Sequence, residues 1–338
     1  MTDSMFLSKV RWRLSDIALQ WLWFVLPVDE GHIGYDKGLL TWVRTRRHKR
    51  IHRPVRICLL DVYPDGGKFG KFTAFWINER SSVCSASVNR GIRDADIAWI
   101  YSQDPLPAEV KDRLLETLAR CNPSARVINH PDAYNSYHED TCFERLEAAG
   151  ASVPRSKFGE RDIGRTEVVY KVKGAHGSTK FRSLYKGPVE GYRPFEFHDS
   201  RGPDGLYRKF RAFYILGNSI PNHVALGANW NVHRTTKIST EYVFDLTDTE
   251  RASVELIAKT LNLQYFSVDF IRRREDGQPF FSDINVYPLP IDFTETARQM
   301  GYFGRWLILD NRLRLGMPEP SGRCFWEMFD DAMLHLKG

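Results

Sequence analysis

The sequence predicts a mixed α/β protein with two or three subdomains. Apolar strand-like segments alternate with a helical segment early in the chain. Two further strand-like segments, 267–270 and 281–288, flank the hairpin-type turn signal Glu275-Asp276-Gly277. The 338 residues are 42% hydrophobic and 27% charged, which is ordinary for a globular protein and enough for a sizeable core.

Residues 1–55 form a predicted N-terminal leader, helical and then basic. It holds a Trp-rich apolar run, 17–26, and a basic run, 44–53. The apolar run is too short to span a bilayer, which takes about 20 apolar residues. One interpretation is an interfacial helix that holds residues 17–53 against the anionic inner face of a membrane. The interpretation that we favour is a helix packed on the protein body, followed by a solvated basic loop.

Residues 56–135 form a predicted small α/β unit. Strands are expected at 55–63, 95–101 and 126–129, and a helix at 107–121, where apolar residues recur at helical spacing. The order strand, helix, strand predicts parallel pairing.

The remaining segments are predicted as follows. A helix at 141–149 stops at Gly150, and a strand follows at 167–173. Strands at 210–216 and 222–226 precede a helix at 248–261. The start of this helix resembles a capping box, because Glu250 comes three residues after Thr247. Residues 301–338, rich in aromatic and aliphatic side chains, are expected to form helices that cover the core or a dimer interface.

Net charge and cysteine content bear on the binding partners and the cellular compartment of this protein. A formal net charge of +6 suits phosphorylated or carboxylated substrates, and also an anionic membrane or nucleic acid. No finger, RNA-recognition or helix-turn-helix pattern accompanies the basic residues, so we expect no nucleic acid partner. The five cysteines are scattered and form no C-x-x-C pair, which argues against disulfides or zinc and favours a reducing compartment. The predicted location is the cytoplasm.

The hairpin near the C-terminus carries the clearest chemical signal. Asp269, Asp283 and Asn285 alternate with apolar neighbours, so their side chains are expected on one face of the sheet. Two carboxylates and a carboxamide are hard oxygen donors that suit Mg²⁺ bound together with phosphate oxygens. The alternative is an ordinary polar sheet edge.

A second signal lies at the end of the strand 167–173. Lys171 and Lys173 lead into a small-residue loop whose backbone N–H groups can approach phosphate oxygens. The loop supplies four candidate nucleotide-binding residues: Gly174, His176, Gly177 and Ser178. The pattern is neither a P-loop nor a Rossmann fingerprint, and a simple turn is the alternative.

Two weaker signals follow. Aromatic and polar residues alternate at 194–198, where Glu196 and Phe197 are candidates for an adenine slot or for an amphipathic strand. Downstream, Arg211, Asn231 and His233 belong to a cationic, amide-rich set that could stabilise a transferring phosphoryl group, or form a solvated basic face.

In this order the segments resemble the ATP-grasp superfamily, particularly its RimK-like ligase branch, over residues 128–290. The stretch 149–154 is similar to the "aGi.vP" step of the family, and 168–171 to its "vVvK" strand. The stretch 210–213 is similar to "iR.fvvG". Asp269 with Asp283-Ile284-Asn285 is similar to the two-Mg²⁺ motif, usually D…E-x-N.

The resemblance implies an architecture and an activity. A pre-grasp α/β domain (56–135) precedes two α+β lobes, 136–200 and 201–300, that clamp ATP, and C-terminal helices follow at 301–338. The implied enzyme is an ATP- and Mg²⁺-dependent ligase that joins a carboxylate to an amine, on a small molecule or peptide, through an acyl phosphate. Lys171 would contact the ATP phosphates, Arg211 the transferred phosphate, and the D…D-x-N residues two Mg²⁺ ions.

The sequence departs from the family pattern at three places, one of which is Leu289 where a glycine often follows N-x-x-P. The stretch 139–142 has no lysine where RimK-like ligases carry one, so phosphate binding would rely on Lys157, Lys173 or Lys180. Asp283 replaces the usual glutamate, as in the inositol polyphosphate kinases of the superfamily. Two alternatives therefore stay open: a kinase that phosphorylates a hydroxyl group, and a non-catalytic nucleotide-binding or membrane-associated protein.

Overall fold

The computed structural model describes residues 53–62, 73–74, 77–78, 81–102, 105–172, 179–233, 236–241, 244–288 and 325–338. Most of the predicted leader, the loop 173–178 and most of the predicted C-terminal segment lie outside these residues. The described residues form three sheets, and the domain boundaries expected from the sequence stay a prediction.

The first sheet is parallel throughout and contains β1 (Val55–Asp61), β2 (Cys84–Val88), β3 (Ile97–Tyr101) and β4 (Arg126–Ile128), in the order β2-β1-β3-β4. The helix α1 (Ala108–Leu118) connects β3 to β4. All five side chains of β3 are buried, as expected for a central strand covered on both faces. The predicted parallel α/β unit is therefore confirmed, although β2 was not predicted.

The second sheet has three antiparallel strands, with β5 (Glu167–Val172) between β6 (Lys180–Leu184) and β7 (Tyr192–Glu196). Two short helices, α2 (Pro131–Tyr134) and α3 (Cys142–Ala148), precede it. The helix α3 ends where the sequence predicts, because Gly150 adopts a positive φ of 90° just beyond it.

The third sheet is antiparallel, in the order β10-β9-β8-β11-β12. Its strands are β8 (Tyr207–Ile215), β9 (Asn218–Gly227), β10 (Lys237–Glu241), β11 (Tyr265–Arg272) and β12 (Pro279–Asn285). The helix α4 (Asp248–Leu261) has the predicted bounds and packs on β8 and β9. Its capping box is confirmed: Glu250 N donates to Thr247 Oγ1 at 3.2 Å, and Thr247 N donates to Glu250 Oε2 at 2.8 Å.

Two features join the first sheet to the third. The C-terminal helix α5 (Phe325–Lys337) packs against β1 and β9, and its Phe329 stacks on Trp99 of β3. Asn129, fully buried at the end of β4, donates to Tyr265 O at 2.6 Å and accepts from Gln264 N at 2.9 Å. These contacts hold the start of β11, and hence the hairpin that carries the candidate metal ligands.

The last basic residue of the predicted leader has a structural role. Arg53 is buried and donates hydrogen bonds to Asn78 O at 2.8 Å and Ile77 O at 3.4 Å. Its charge therefore faces the fold rather than a membrane surface. In the part of the chain described here, no helix combines the length and apolar character needed to cross a bilayer.

Candidate active site

A row of charged residues crosses the third sheet at one register. Arg211 on β8 lies opposite Asp269 on β11, which in turn lies opposite Asp283 on β12. Directly opposed residues of antiparallel strands have their side chains on the same face, so these three charged side chains form one row on a single face of the sheet. Asn285 lies two positions beyond Asp283 and so shares its face.

Asp269 is the electrostatic centre of this row. It is buried, and Arg211 binds it with two hydrogen bonds, Nε to Oδ1 at 2.5 Å and Nη2 to Oδ2 at 3.0 Å. Lys209 Nζ lies 2.9 Å from Oδ2. Burial alone would raise the pKa of Asp269, but the charges of Arg211 and Lys209 outweigh it and hold that pKa well below the ordinary aspartate value. Asp269 is therefore ionised at neutral pH.

The other two predicted metal ligands are more accessible. Asp283 is exposed and makes no ion pair with any described residue. Asn285 is half-buried, and its Oδ1 accepts a hydrogen bond from Tyr287 N at 3.1 Å. Both residues line the same cavity as Asp269.

The oxygen donors of this row fit Mg²⁺. Among the described residues no group of three or more His, Cys, Asp or Glu side chains could hold a metal ion. However, Mg²⁺ commonly uses only one or two protein carboxylates and completes its shell with phosphate oxygens and water. Asp283 and Asn285 can supply such oxygens directly, whereas the oxygens of Asp269 are also engaged by Lys209 and Arg211.

Lys171 connects the second sheet to this row. Its Nζ donates to Ser282 O on β12 at 2.7 Å and lies 5.1 Å from the centre of the Phe195 ring. Burial lowers the pKa of Lys171, with Asp283 acting in the opposite direction and Lys209 adding to the decrease.

Two more cations flank Lys171 on the neighbouring strands. Lys180 on β6 and Arg193 on β7 are its two cross-strand partners. Lys180 has no ion pair among the described residues, and its pKa is lowered to about 8 by burial, by Lys171 and by Lys209. Arg193 pairs with Asp140.

These side chains surround one cavity of about 470 Å³, which we call the central cavity. It is bounded by the second sheet, the third sheet and the segment 137–143 that leads into α3. Its charged lining residues are Lys171, Lys180, Arg193, Lys209, Arg211, Glu139, Asp140, Asp269 and Asp283. Such a concave site, with convergent charges and shifted pKa values, is typical of a binding or active site.

The structure brings most of the described candidate residues together. Six of them line the central cavity: Lys171, Arg211, His233, Asp269, Asp283 and Asn285. Five others, Lys173, Gly174, His176, Gly177 and Ser178, lie outside the described residues. Asn231 does not line the cavity, and its Oδ1 is buried without a hydrogen-bond partner in the described part of the chain.

Glu196 and Phe197, the predicted candidates for an adenine slot, lie at the end of β7 and directly after it. Neither lines the central cavity, and Glu196 pairs with Arg155 at 3.1 Å. Phe197 packs under the guanidinium of Arg182, 3.6 Å from its ring centre. Because side chains alternate along β7, Arg193 and Phe195 face the cavity and Glu196 faces away from it.

Lys209 lines the cavity but was not selected as a site residue, although the sequence contained a signal for it. Lys209 is two positions from Arg211 on one strand, so it shares the face of Arg211. Lys180, named from the sequence as an alternative phosphate-binding lysine, also lines the cavity, whereas Arg193 is revealed only by the strand register. Tyr137, His138 and Phe143 also line the cavity, and no pattern in the sequence marks them.

Comparison with known proteins identifies the fold. No protein-family model matches this sequence, and no curated protein matches it. Among solved structures, the ATP-grasp ligase PsnB with precursor peptide PsnA2 and AMPPNP aligns with a TM-score of 0.50 at 13% identity, over 85% of this chain and 99% of that one. This chain has the ATP-grasp fold.

Two further structures illustrate this similarity. PsnB with a phosphomimetic variant of its minimal precursor, Mg and ADP also gives a TM-score of 0.50 at 13% identity, over 85% of this chain and 100% of that one. A D-alanine–D-alanine ligase from Bacillus anthracis aligns with a TM-score of 0.45 at 14% identity, over 77% of this chain and 98% of that one. The predicted fold is confirmed. At these identities the likeness is one of fold alone.

Proposed function

We propose that this protein is a Mg²⁺-dependent ATP-grasp ligase, of the RimK-like branch, that joins a carboxylate to an amine. The observation that carries the proposal is the convergence of Lys171, Arg211, Asp269, Asp283 and Asn285 on one cavity between two sheets. These are the residues that the family motifs single out, and they come from strands far apart in the sequence.

The residues have distinct roles in the proposed reaction. Lys171, held by burial and by Ser282 O, presents a positive charge to the phosphates of ATP. Asp283, Asn285 and Asp269 would supply oxygen ligands to Mg²⁺. Bound Mg²⁺ would neutralise charge on the β- and γ-phosphates.

Arg211 would stabilise the transferred phosphoryl group in this reaction. A substrate carboxylate oxygen attacks the γ-phosphorus, the bond from this phosphorus to the β–γ bridging oxygen breaks, and ADP leaves. Arg211 and Lys209 compensate the charge on the transferring oxygens. The amine nitrogen then attacks the acyl carbon of the acyl phosphate, phosphate leaves, and the amine loses its proton.

A product assay tests the proposal. We expect ADP release that depends on both an acid and an amine, and a hydroxamate when hydroxylamine replaces the amine. The screen should include amino acids and short peptides, because PsnB, which shares the fold, was solved with peptide precursors. Absence of any binding heat with Mg·ATP would reject the proposed function.

One observation favours a second candidate, an ATP-grasp kinase that phosphorylates a hydroxyl group. Asp283 stands where most ligases of the family have glutamate, and its shorter side chain is less suited to bridge two metal ions. Inositol phosphates therefore belong in the same screen. Stable transfer of ³²P from γ-labelled ATP to an alcohol would replace the ligase proposal by this one.

The pKa of Lys180 leads to a prediction about nucleotide affinity. With a pKa of about 8, Lys180 is positively charged at pH 7 and loses its charge as the pH rises through 8. Mg·ADP should therefore bind about tenfold more weakly at pH 9.5 than at pH 7.5, the cost of one charge-assisted contact. Calorimetric titration at both pH values measures this change.

The matched control for this pH effect is Lys180→Arg. Arginine stays protonated over the whole range, so the affinity of this variant should change much less with pH. Lys171, Lys209, Asp269 and Asp283 also act on Lys180, and all of them are retained in the variant. If the Kd for Mg·ADP changed equally with pH in the wild type and the variant, the prediction would be contradicted.

A further inference from the structure

Arg193 is a cation of the central cavity to which the family motifs give no role. It lies on β7, directly opposite Lys171, and its side chain is 20% exposed. Its guanidinium pairs with Asp140. This pair joins the second sheet to the segment 137–143, and both residues line the cavity.

Asp140 is a weakly held partner. Its side chain is 73% exposed, so it keeps most of its hydration, and it makes no other ion pair within the described residues. Pairs with one such exposed partner contribute about 0–1 kcal/mol, because water competes for the charges. A phosphate group, with more charge and several acceptor oxygens, is a stronger ligand for a guanidinium than this aspartate.

The neighbours of Arg193 increase the attraction for an anion. Lys180, Lys171 and Arg193 form one cross-strand row over β6, β5 and β7. Like charges on directly opposed residues repel each other, and this repulsion contributes to the lowered pKa of Lys180. Three adjacent cations facing a cavity, with one exposed aspartate on the outermost of them, form a site that a polyanion would stabilise.

We propose that Arg193 binds the polyphosphate of the nucleotide, and that Asp140 occupies its guanidinium until the nucleotide displaces it. The inference rests on the proposed function, because it assumes that Mg·ATP enters the central cavity. It adds Arg193 on β7 to Lys171 and Lys180 as a third phosphate-binding cation of the second sheet. Lys157, a candidate from the sequence, pairs with Glu144, is 71% exposed and does not line the cavity.

Calorimetric titration of Mg·ADP into four proteins tests the inference: the wild type, Arg193→Ala, Asp140→Asn and the double variant. Arg193→Ala should raise Kd about tenfold, through loss of a charge-assisted hydrogen bond. Asp140→Asn should lower Kd about threefold, because a weak competitor is removed. In the double variant, Asp140→Asn should have no further effect, since its benefit acts through Arg193.

The hairpin pair of Arg273 and Asp276 provides matched controls. Its side chains are 26% and 47% exposed and do not line the cavity, so Arg273→Ala and Asp276→Asn should leave Kd unchanged. Thermal unfolding verifies that each variant is folded. Should Arg193→Ala fail to fold, Arg193→Lys, which keeps one point charge, replaces it with a smaller expected increase in Kd.

Two results would overturn the inference about Arg193 alone. One is a wild-type Kd in a folded Arg193 variant. The other is an Asp140→Asn variant that binds as weakly as Arg193→Ala, which would mean that the aspartate positions the arginine instead of competing for it. Absence of Mg·ADP binding by the wild type would instead reject the proposed function together with this inference.

Discussion

Replacing Asp269 by asparagine is expected to lower the free energy of unfolding by about 3 kcal/mol, the usual cost of breaking a buried ion pair by removing one partner. The substitution leaves Arg211 and Lys209 without the carboxylate that they share. Urea-induced unfolding of the wild type and of Asp269→Asn, followed by circular dichroism, measures the difference.

The exposed pair of Arg273 and Asp276 is the control for this prediction. Asp276→Asn removes a carboxylate from an arginine at the surface and should change the free energy of unfolding by less than about 1 kcal/mol. An equal effect of the two substitutions would show that the Asp269 cluster adds nothing to stability beyond a surface pair.

The same cluster should make stability depend on acid pH. The pKa of Asp269 is lower in the folded protein than in the unfolded chain, so its stabilising contribution is fully present above the unfolded value, near 3.9. It is lost progressively as the pH falls below that value, because the unfolded chain then binds the proton more readily. The wild type should therefore lose more stability than Asp269→Asn between pH 5 and pH 3.

Substitutions of the accessible candidate metal ligands are expected to reduce turnover strongly and to change the free energy of unfolding little, in contrast to Asp269→Asn. Asp283→Ala should reduce turnover by at least about 10²-fold, the effect of losing a group that stabilises transition-state charge. Because Asp283 is exposed and unpaired within the described chain, its removal should change the free energy of unfolding by less than about 0.5 kcal/mol. Rates of ADP release and urea unfolding measure the two effects.

At Asn285, two substitutions separate the loss of a metal ligand from the loss of a turn hydrogen bond. Its Oδ1 accepts from Tyr287 N, so alanine removes a turn hydrogen bond as well as a metal ligand. Asn285→Asp keeps an oxygen at that place and should retain both the turn and Mg²⁺ binding, whereas Asn285→Ala should lose turnover. Full activity in Asp283→Ala or Asn285→Ala, with an unchanged dependence on Mg²⁺ concentration, would show that the substituted residue is not a Mg²⁺ ligand.

The elements predicted well are those whose determinants are local in sequence. The helix α4 has the predicted bounds because Thr247 and Glu250, three residues apart, cap its first turn. The hairpin of β11 and β12 follows from alternation on both sides of a turn at Gly277, which adopts a positive φ of 73°. In contrast, the five-residue edge strands β2, β6 and β10 were missed. No side chain of β6 or β10 is fully buried, so these strands lack the apolar run or alternation that marks a strand in sequence.

The same distinction applies to the candidate site. Motif order and period-two alternation placed Lys171, Arg211, Asp269, Asp283 and Asn285 together, and the structure brings all five to the central cavity. Alternation also explains why Glu196 does not line the cavity: because Phe195 faces the cavity, Glu196 has to face away. Nothing local marks Arg193 as a cavity residue, because its position depends on the register of β7 against β5.

The sequence alone determined which side chains share a strand face, because that property follows from the pleat and needs no knowledge of the partner strand. Tertiary structure decided which faces meet. Asp269 is joined to Arg211 across 58 residues, and Arg193 to Asp140 across 53. Pairings at such separations arise from strand register and from the packing of the sheets. Register and packing therefore determine which charged side chains are paired within the fold and which stay accessible to a ligand.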